Sequence, residues 1–343
     1  MDETNSVQKL LDDLSRKKGI SEISINGPKE VFVERDGKLI QLAIELKSGD
    51  IDSFIEDLRM QRQEQFGFAE SSPIINTSLA DGSRVNAICS PFAKGSSAIS
   101  IRKYIKNIKD FSQNEGIFGL YGKWIDFMRA IVRSRMNVVI CGGTGTGKTT
   151  LLNLMLSELS QQERIITIED TLELSFDHRN LVRLESFQSD EFNISTRDLV
   201  KNTLRMRPDR IIIGESRGGE FFDLLQAMNT GHDGSMSTIH ANSAQECLQR
   251  METLFLLCGF EVPIPIVRRQ ISTGIDFIFH ISKDRDGKRY VENISEITGM
   301  EGDQILSANI ARHSEGELRT TGITPEVVER LTQEGGLPRD FFA

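Results

Sequence analysis

The rhythm of apolar and polar positions divides the chain into two parts. The opening residues predict a helix over about 4–18. Next, ISEISINGPKEVFVERDGKLIQL is rich in β-branched residues and is broken at Asn26-Gly27-Pro28 and Asp36-Gly37, which predicts strands joined as hairpins. A helix is expected near 50–63, and SLADGSRVNAICSPFAKGSSAISIRK reads as three short strands turning at Asp81-Gly82 and Lys94-Gly95. Residues 1–105 are therefore expected to form a small α+β domain. The polar, glycine-bearing and weakly periodic stretch that follows predicts a linker over 106–119.

From Leu120 short apolar runs alternate with helical ones. LYGKWIDFMRAIVRS, KTTLLNLMLSEL, STRDLVKNTLRM (capped by Ser195 or Thr196) and GGEFFDLLQAMNTG read as helices. NVVIC, RIITIE, LVRLE, RIIIGE and Ser235–Ile239 read as strands, the last ending at His240. Such alternation implies βαβ units, so residues 120–343 are expected to be an α/β domain with a mainly parallel sheet.

Charge and cysteine usage narrow the choice of partner. The 343 residues carry a formal charge of -9, against the basic balance usual in a protein that grips nucleic-acid phosphates. The start MDETNSVQKLLDDLSRKKG is too polar for a signal peptide, and no apolar run reaches the ~18 residues of a membrane span, so the expected location is the cytosol. Cys89, Cys141, Cys247 and Cys258 include no C-x-x-C pair, which suits structural thiols better than a zinc site or disulfide framework.

The stretch ICGGTGTGKTT fits the phosphate-loop pattern G-x-x-x-x-G-K-[ST] and lies between an apolar strand and a helix, where its mechanism needs it. Gly142, Gly143, Thr144, Gly145, Thr146 and Gly147 let backbone N–H groups converge on phosphates, and Thr150 follows in the helix. Lys148 reaches the outer phosphates, and Thr149 offers a hydroxyl to Mg²⁺, so ATP and Mg²⁺ are the expected ligands. Two strand ends supply carboxylates: Glu215 after Ile211–Ile213, and Glu169 with Asp170 after Ile165–Ile168, Glu173 standing close behind. Glu215 stands at the position that normally holds the Mg²⁺ water shell. Either strand end could place the carboxylate that orients the attacking water, and the pattern alone does not decide which is the base. His232 and His240 lie in TGHDGSMSTIHANS, and a histidine ending the strand beside Glu215 can hydrogen-bond a phosphate.

Taken in order, GGTGTGKTT, IEDTLEL, LRMRPDRIIIGESRGGE and TGHDGSMSTIHANS resemble the Walker A, aspartate box, Walker B and histidine box of the secretion ATPase superfamily. The likeness extends to the N-terminal strands and to TTGITPEVVERLTQEGGLPRDFF, and within the superfamily it is greatest for the tight-adherence (Flp) pilus assembly ATPase, the type IV secretion traffic ATPase being a near relative. The resemblance implies a RecA-like motor domain behind a small PAS-like N-terminal domain. It also implies a homohexamer working on an inner-membrane platform protein to power pilus assembly or protein export. On the family's pattern Glu169 orients the hydrolytic water, Glu215 serves the metal shell and His240 senses the γ-phosphate. Arg84 in GSRVN and Arg102 in SIRK match the two arginines that the family brings to the phosphates, and strand parity turns Arg102 away from Ile99 and Ile101. A nucleic-acid motor is the competing class, which the acidic balance disfavours, so no stable nucleic-acid partner is expected.

Secretion relatives with a zinc module carry four paired cysteines late in the motor, and this chain has none paired there. Metal analysis of the purified protein is expected to return no stoichiometric zinc. One tightly held zinc per chain would contradict the placement.

Overall fold

The computed structural model describes residues 5–342 apart from 16, 18, 36–37, 48, 68–71, 104–109 and 189–191. The expected Asp36-Gly37 turn and the first part of the expected linker therefore lie outside the described residues. The chain divides into two compact units, the first drawn from residues 1–106 with Thr171–Glu173 and Ser186–Ile194, the second from the remainder.

In the first unit, α1 (Ser6–Ser15), β1 (Ile20–Gly27), β2 (Glu30–Arg35), β3 (Lys38–Gln41), α2 (Asp50–Phe66), β4 (Ile74–Ser78), β5 (Arg84–Ile88) and β6 (Ala98–Arg102) follow one another. The strands form an antiparallel sheet of order β3-β2-β1-β6-β5-β4. Alternation along each strand sends Ile23, Ile25, Val85, Ala87, Ile99 and Ile101 into one core, which Val7, Leu11 and Leu14 of α1 and Phe54, Ile55 and Leu58 of α2 complete. At the end of the sheet, Arg102 stands directly across from Glu22 on one side and from Arg84 on the other.

The second unit opens with a segment that the sequence pattern reads as linker. Asp110–Gly119 is instead packed structure: Phe111 and Phe118 are fully buried in the main core, and Ile117–Gly119 forms a 3-10 turn. Two phenylalanines seven residues apart in a polar stretch give no period, yet each buries a large apolar surface. The chain continues through α3 (Lys123–Arg133), β7 (Val138–Gly142), α4 (Lys148–Leu156), β8 (Ile165–Glu169), β9 (Leu181–Glu185), the two-residue strands β10 (Phe187–Gln188) and β11 (Asn193–Ile194), and α5 (Thr196–Thr203). It then runs through β12 (Arg210–Ile213), α6 (Glu220–Met228), β13 (Met236–His240), α7 (Ala244–Leu256), α8 (Ile264–Gly274), β14 (Phe277–Lys283), β15 (Arg289–Glu301), β16 (Gln304–Ser314), β17 (Glu317–Thr320) and α9 (Val328–Gln333).

Nine of these strands build one sheet of order β17-β16-β15-β14-β7-β13-β12-β8-β9. Pairing is parallel from β14 through β9 and antiparallel from β14 to β17, so the sheet is mainly parallel, as the alternating pattern requires. Helices cover both faces, which is why β7, β8 and β12 are mostly apolar and buried along their whole length. Val138 and Ile140 of β7 enter the core beneath α3 and α4, while Val139 and Cys141 enter the core beneath α5 to α8.

The first core is closed by residues distant in sequence. Trp124 donates its indole N–H to the Leu318 carbonyl at 2.7 Å. The Phe341 ring lies 5.3 Å from Trp124 and stacks on Phe127 at 5.5 Å, with Phe342 edge-on to Phe127 at 5.8 Å. Removing a buried ring of this kind costs ~3–5 kcal/mol. Phe341→Ala is expected to lower the denaturation midpoint of the protein clearly, whereas Phe92→Ala, at a ring 69% exposed, should leave it in place. Equal effects of the two would refute the packing account.

Candidate active site

Strand β7 ends at Gly142, where a side chain has no room: a Cβ there would lie 2.6 Å from both the Ile281 carbonyl oxygen and Thr146 Oγ1. The loop then folds on itself, the Thr146 hydroxyl donating to the Gly143 carbonyl at 2.9 Å. Gly147 caps α4 with φ 96°, a left-handed conformation that glycine takes without strain, and it has no side chain to satisfy the first-turn N–H groups. Those donors face the loop with the positive end of the helix dipole behind them, as anion binding requires. Lys148 lies back over the loop, its Nζ donating to the carbonyls of Gly142 and Gly143 at 3.1 Å each. Thr149 and Thr150 are half-buried in the first turn of α4.

The parallel register fixes what stands beside the loop. His240, the exposed last residue of β13, pairs directly with Gly142. On the next strand Ile213 pairs with Ser237, and on the one after with Ile168, so Gly214-Glu215 and Glu169 leave the same edge of the sheet. Glu169 is 4% exposed, and its Oε1 accepts the Leu174 N–H at 2.9 Å. Its side chain lies over Gly214, where a Cβ would come within 2.9 Å of Glu169 Cγ. Gly214 is held in turn by the Thr238 hydroxyl, which donates to its carbonyl at 2.8 Å. A backbone position without a side chain thus makes the seat for the buried carboxylate.

Glu215 is half-buried and differs from Glu169 in its surroundings. Arg217 donates to its Oε2 through Nε at 2.8 Å and through Nη2, and reaches Asp170 at 3.6 Å. Asp170 also accepts from the Thr196 hydroxyl at 2.6 Å, so the second acid of the aspartate box is tied to the start of α5. Glu220 accepts the backbone N–H groups of Arg217 and Gly218 at 2.6 and 2.7 Å and so fixes the turn after Glu215. Sequence reasoning missed Arg217 and Glu220. Their signal was the charge-rich ESRGGE beyond an apolar strand.

Other residues singled out from sequence fall elsewhere. His232 donates from Nδ1 to the Ala227 carbonyl, 3.3 Å away, and is part of the turn before β13. Glu173 forms an ion pair with Arg84, both belonging to the first unit. Arg84 is half-buried and Arg102 exposed, next to each other across β5 and β6. Cys141 and Cys247 are buried neighbours under the loop, and burial pushes the Cys247 thiol well above its ordinary pKa, which keeps it protonated and unreactive. Beside them His280, opposite Cys141 in the sheet, has its pKa lowered by burial and is neutral.

Comparison with known proteins agrees with this geometry. Residues 3–281 match the family described as T2SSE, Type II/IV secretion system protein. A putative conjugal transfer protein of Mycobacterium tuberculosis is 36% identical over 222 residues, 64% of this chain, and the chain spans only 62% of that relative's length. Conjugal transfer protein TrbB of Rhizobium radiobacter is 31% identical over 300 residues, covering 86% of this chain and 89% of that one. The crystal structure of the pilus retraction motor PilT with bound ADP shares the fold, with a TM-score of 0.60 at 21% identity, over 97% of this chain and 87% of that one. The second unit is accordingly a RecA-like P-loop domain, and the first is an α+β domain drawn mainly from the residues before it. Since the matched residues run from the N-terminal sheet through the phosphate loop and both strand-end glutamates to His240, the chain belongs to the Type II/IV secretion system protein family.

Proposed function

We propose that this chain is a Mg²⁺-dependent ATPase whose hydrolysis of ATP moves its two units and so powers a secretion or pilus machine. The observation that carries this reading is the row formed by Gly142, His240, Glu215 and Glu169 along one sheet edge at the open end of α4. The phosphates of ATP, as substrate, take the N–H donors of Gly143–Thr149. Lys148, whose Nζ now rests on two loop carbonyls, turns to the β- and γ-phosphates.

A metal held chiefly by phosphate oxygens needs one hydroxyl and one carboxylate from the protein, and Thr149 with Glu215 fits that donor set. Mg²⁺ bound there would neutralise charge on the phosphates. Arg217 engages Oε2 of Glu215, so Oε1 is the oxygen that would serve the metal's water shell. Glu169, buried and fixed by the Leu174 N–H, keeps one orientation, which suits the residue that positions the attacking water. His240 hydrogen-bonds the γ-phosphate and reports its loss. Arg84 and Arg102 act on the γ-phosphate as arginine fingers, for which Arg84 must leave Glu173.

The working assembly in this reading is a homohexameric ring, held in the cytoplasm at the inner membrane through a platform protein. Among the described residues no helix is long and apolar enough to cross a membrane. Pilus assembly of the tight-adherence kind is the first reading. Two relatives above 30% identity are named for conjugal transfer, which favours a type IV secretion traffic ATPase as the second. Crosslinking in membranes separates the two, by recovery of pilus proteins or of a conjugation apparatus.

Lys148→Ala is expected to abolish phosphate release with the fold intact, and full turnover in that variant would end the ATPase assignment. Glu169→Gln should keep nucleotide and Mg²⁺ binding while slowing hydrolysis about 10²-fold or more. Glu215→Gln should also shift the Mg²⁺ dependence, and normal turnover in Glu169→Gln with a dead Glu215→Gln would reverse the two roles. Steady-state assays of Arg84→Ala and Arg102→Ala should show strongly lowered turnover with ADP affinity nearly unchanged. A parallel loss of ADP affinity would instead make these arginines ground-state binders.

A further inference from the structure

The strand LVRLE sets one arginine in the middle of an apolar run, and no motif of the site accounts for it. Resting on the reading of Glu169 as the carboxylate that orients the attacking water, we propose that Arg183 and Asn153 are positioning residues for it. The two side chains clamp the peptide group beside the N–H that holds Glu169, and so act through that carboxylate.

The need for a clamp follows from the path of the chain. Glu169 is the last residue of β8, and its Oε1 accepts the N–H of Leu174 at 2.9 Å. Leu174 lies in residues 170–180, which belong to neither helix nor strand. No ladder or helical turn fixes the direction of that N–H, so other groups must.

Three groups do. The Leu174 side chain is buried in the main core, 1% exposed, which sets its Cα–Cβ bond. Arg183 donates from Nη2 to the Leu174 carbonyl at 2.7 Å. Asn153 Oδ1 accepts the N–H of Ser175 at 2.8 Å. That carbonyl and that N–H are the two ends of one planar trans peptide group, so the two side chains grip it from opposite sides. With the peptide plane and the Cα–Cβ bond both set, the Leu174 N–H keeps one direction, toward Glu169.

Register puts the clamp where it is needed. Arg183 pairs with Thr167 across β9 and β8, and Thr167 stands two residues before Glu169, so all three side chains leave the same face of the sheet. Arg183 occupies an exposed strand position, and its charged donor makes the stronger kind of hydrogen bond to a carbonyl. Asn153 belongs to α4 and follows Thr149 by one turn, which brings both to one side of that helix. The helix that opens at the phosphate loop thus also anchors the segment that aims the carboxylate.

The test is single-turnover phosphate release from radiolabelled ATP by the full chain, run as a double-mutant cycle with Glu169→Ala. Arg183→Ala should slow release about tenfold, the size of one charge-assisted hydrogen bond, while the Kd for ADP stays within about twofold. Asn153→Ala should act in the same direction. Arg183→Lys should restore most of the rate, because an ammonium still donates to a carbonyl. In the Glu169→Ala background, Arg183→Ala should change the residual rate by less than about twofold, since no carboxylate is left to aim. Equal losses in the two backgrounds would overturn the proposal and make Arg183 a brace of the fold. An unchanged rate in Arg183→Ala alone would overturn it too, as would altered circular dichroism in that variant with no recovery in Arg183→Lys. If Glu169→Ala itself releases phosphate at the full rate, the reading of Glu169 has failed and this proposal falls with it.

Discussion

Because β7 and β13 run parallel with Gly142 opposite His240, the strand that ends in a phosphate loop and the strand that ends in a histidine finish at the same level. Parallel pairing repeats that alignment at β12 and β8, and each strand delivers a polar residue from its end to the same edge. A slip of one residue in any of these registers would send that side chain to the opposite face and into a helix. The apolar runs make such a slip unfavourable, since both faces of the sheet are already filled. The site's precision is thus inherited from packing well below it.

Electrostatics then separates two glutamates that look alike in sequence. Glu169 is buried, seated on Gly214 and fixed by a backbone N–H. Glu215 is half-buried and shares a guanidinium with Asp170. A carboxylate with one backbone anchor keeps its direction, whereas one paired with a flexible arginine can exchange partners. The same logic holds at the other end of β12, where Arg210, 1% exposed, is clasped by Glu163 at 2.5 and 3.0 Å. There a paired buried charge ties the strand's start to the turn before β8 and leaves its end to carry the chemistry.

Strand and helix order as far as β13, apart from the two-residue β10 and β11, was legible because apolar runs and caps are local signals. Ser195, one of two candidates for the cap of α5, does hold the capping box with Asp198. The parity that turned Arg102 outward also put it beside Arg84. What was hidden depended on distance in sequence. Phe111 and Phe118 sit in a polar stretch, and only a core built from later strands explains their burial. Arg217 reads as a surface cation until the fold brings Asp170 alongside it.

The hydrogen bond from Trp124 to the Leu318 carbonyl joins residues 194 apart, and Phe341 closes over the same indole. During synthesis on the ribosome, the helix that opens the RecA-like domain therefore waits through most of translation for its partners. The sheet can pair strand by strand as it emerges, but the face of α3 that receives Phe341 and Phe342 stays uncovered until those rings leave the exit tunnel. Through that interval Trp124 and Phe127 present a sticky surface to the cell, and a holdase chaperone at this helix would guard the nascent chain where it is most exposed to misassociation.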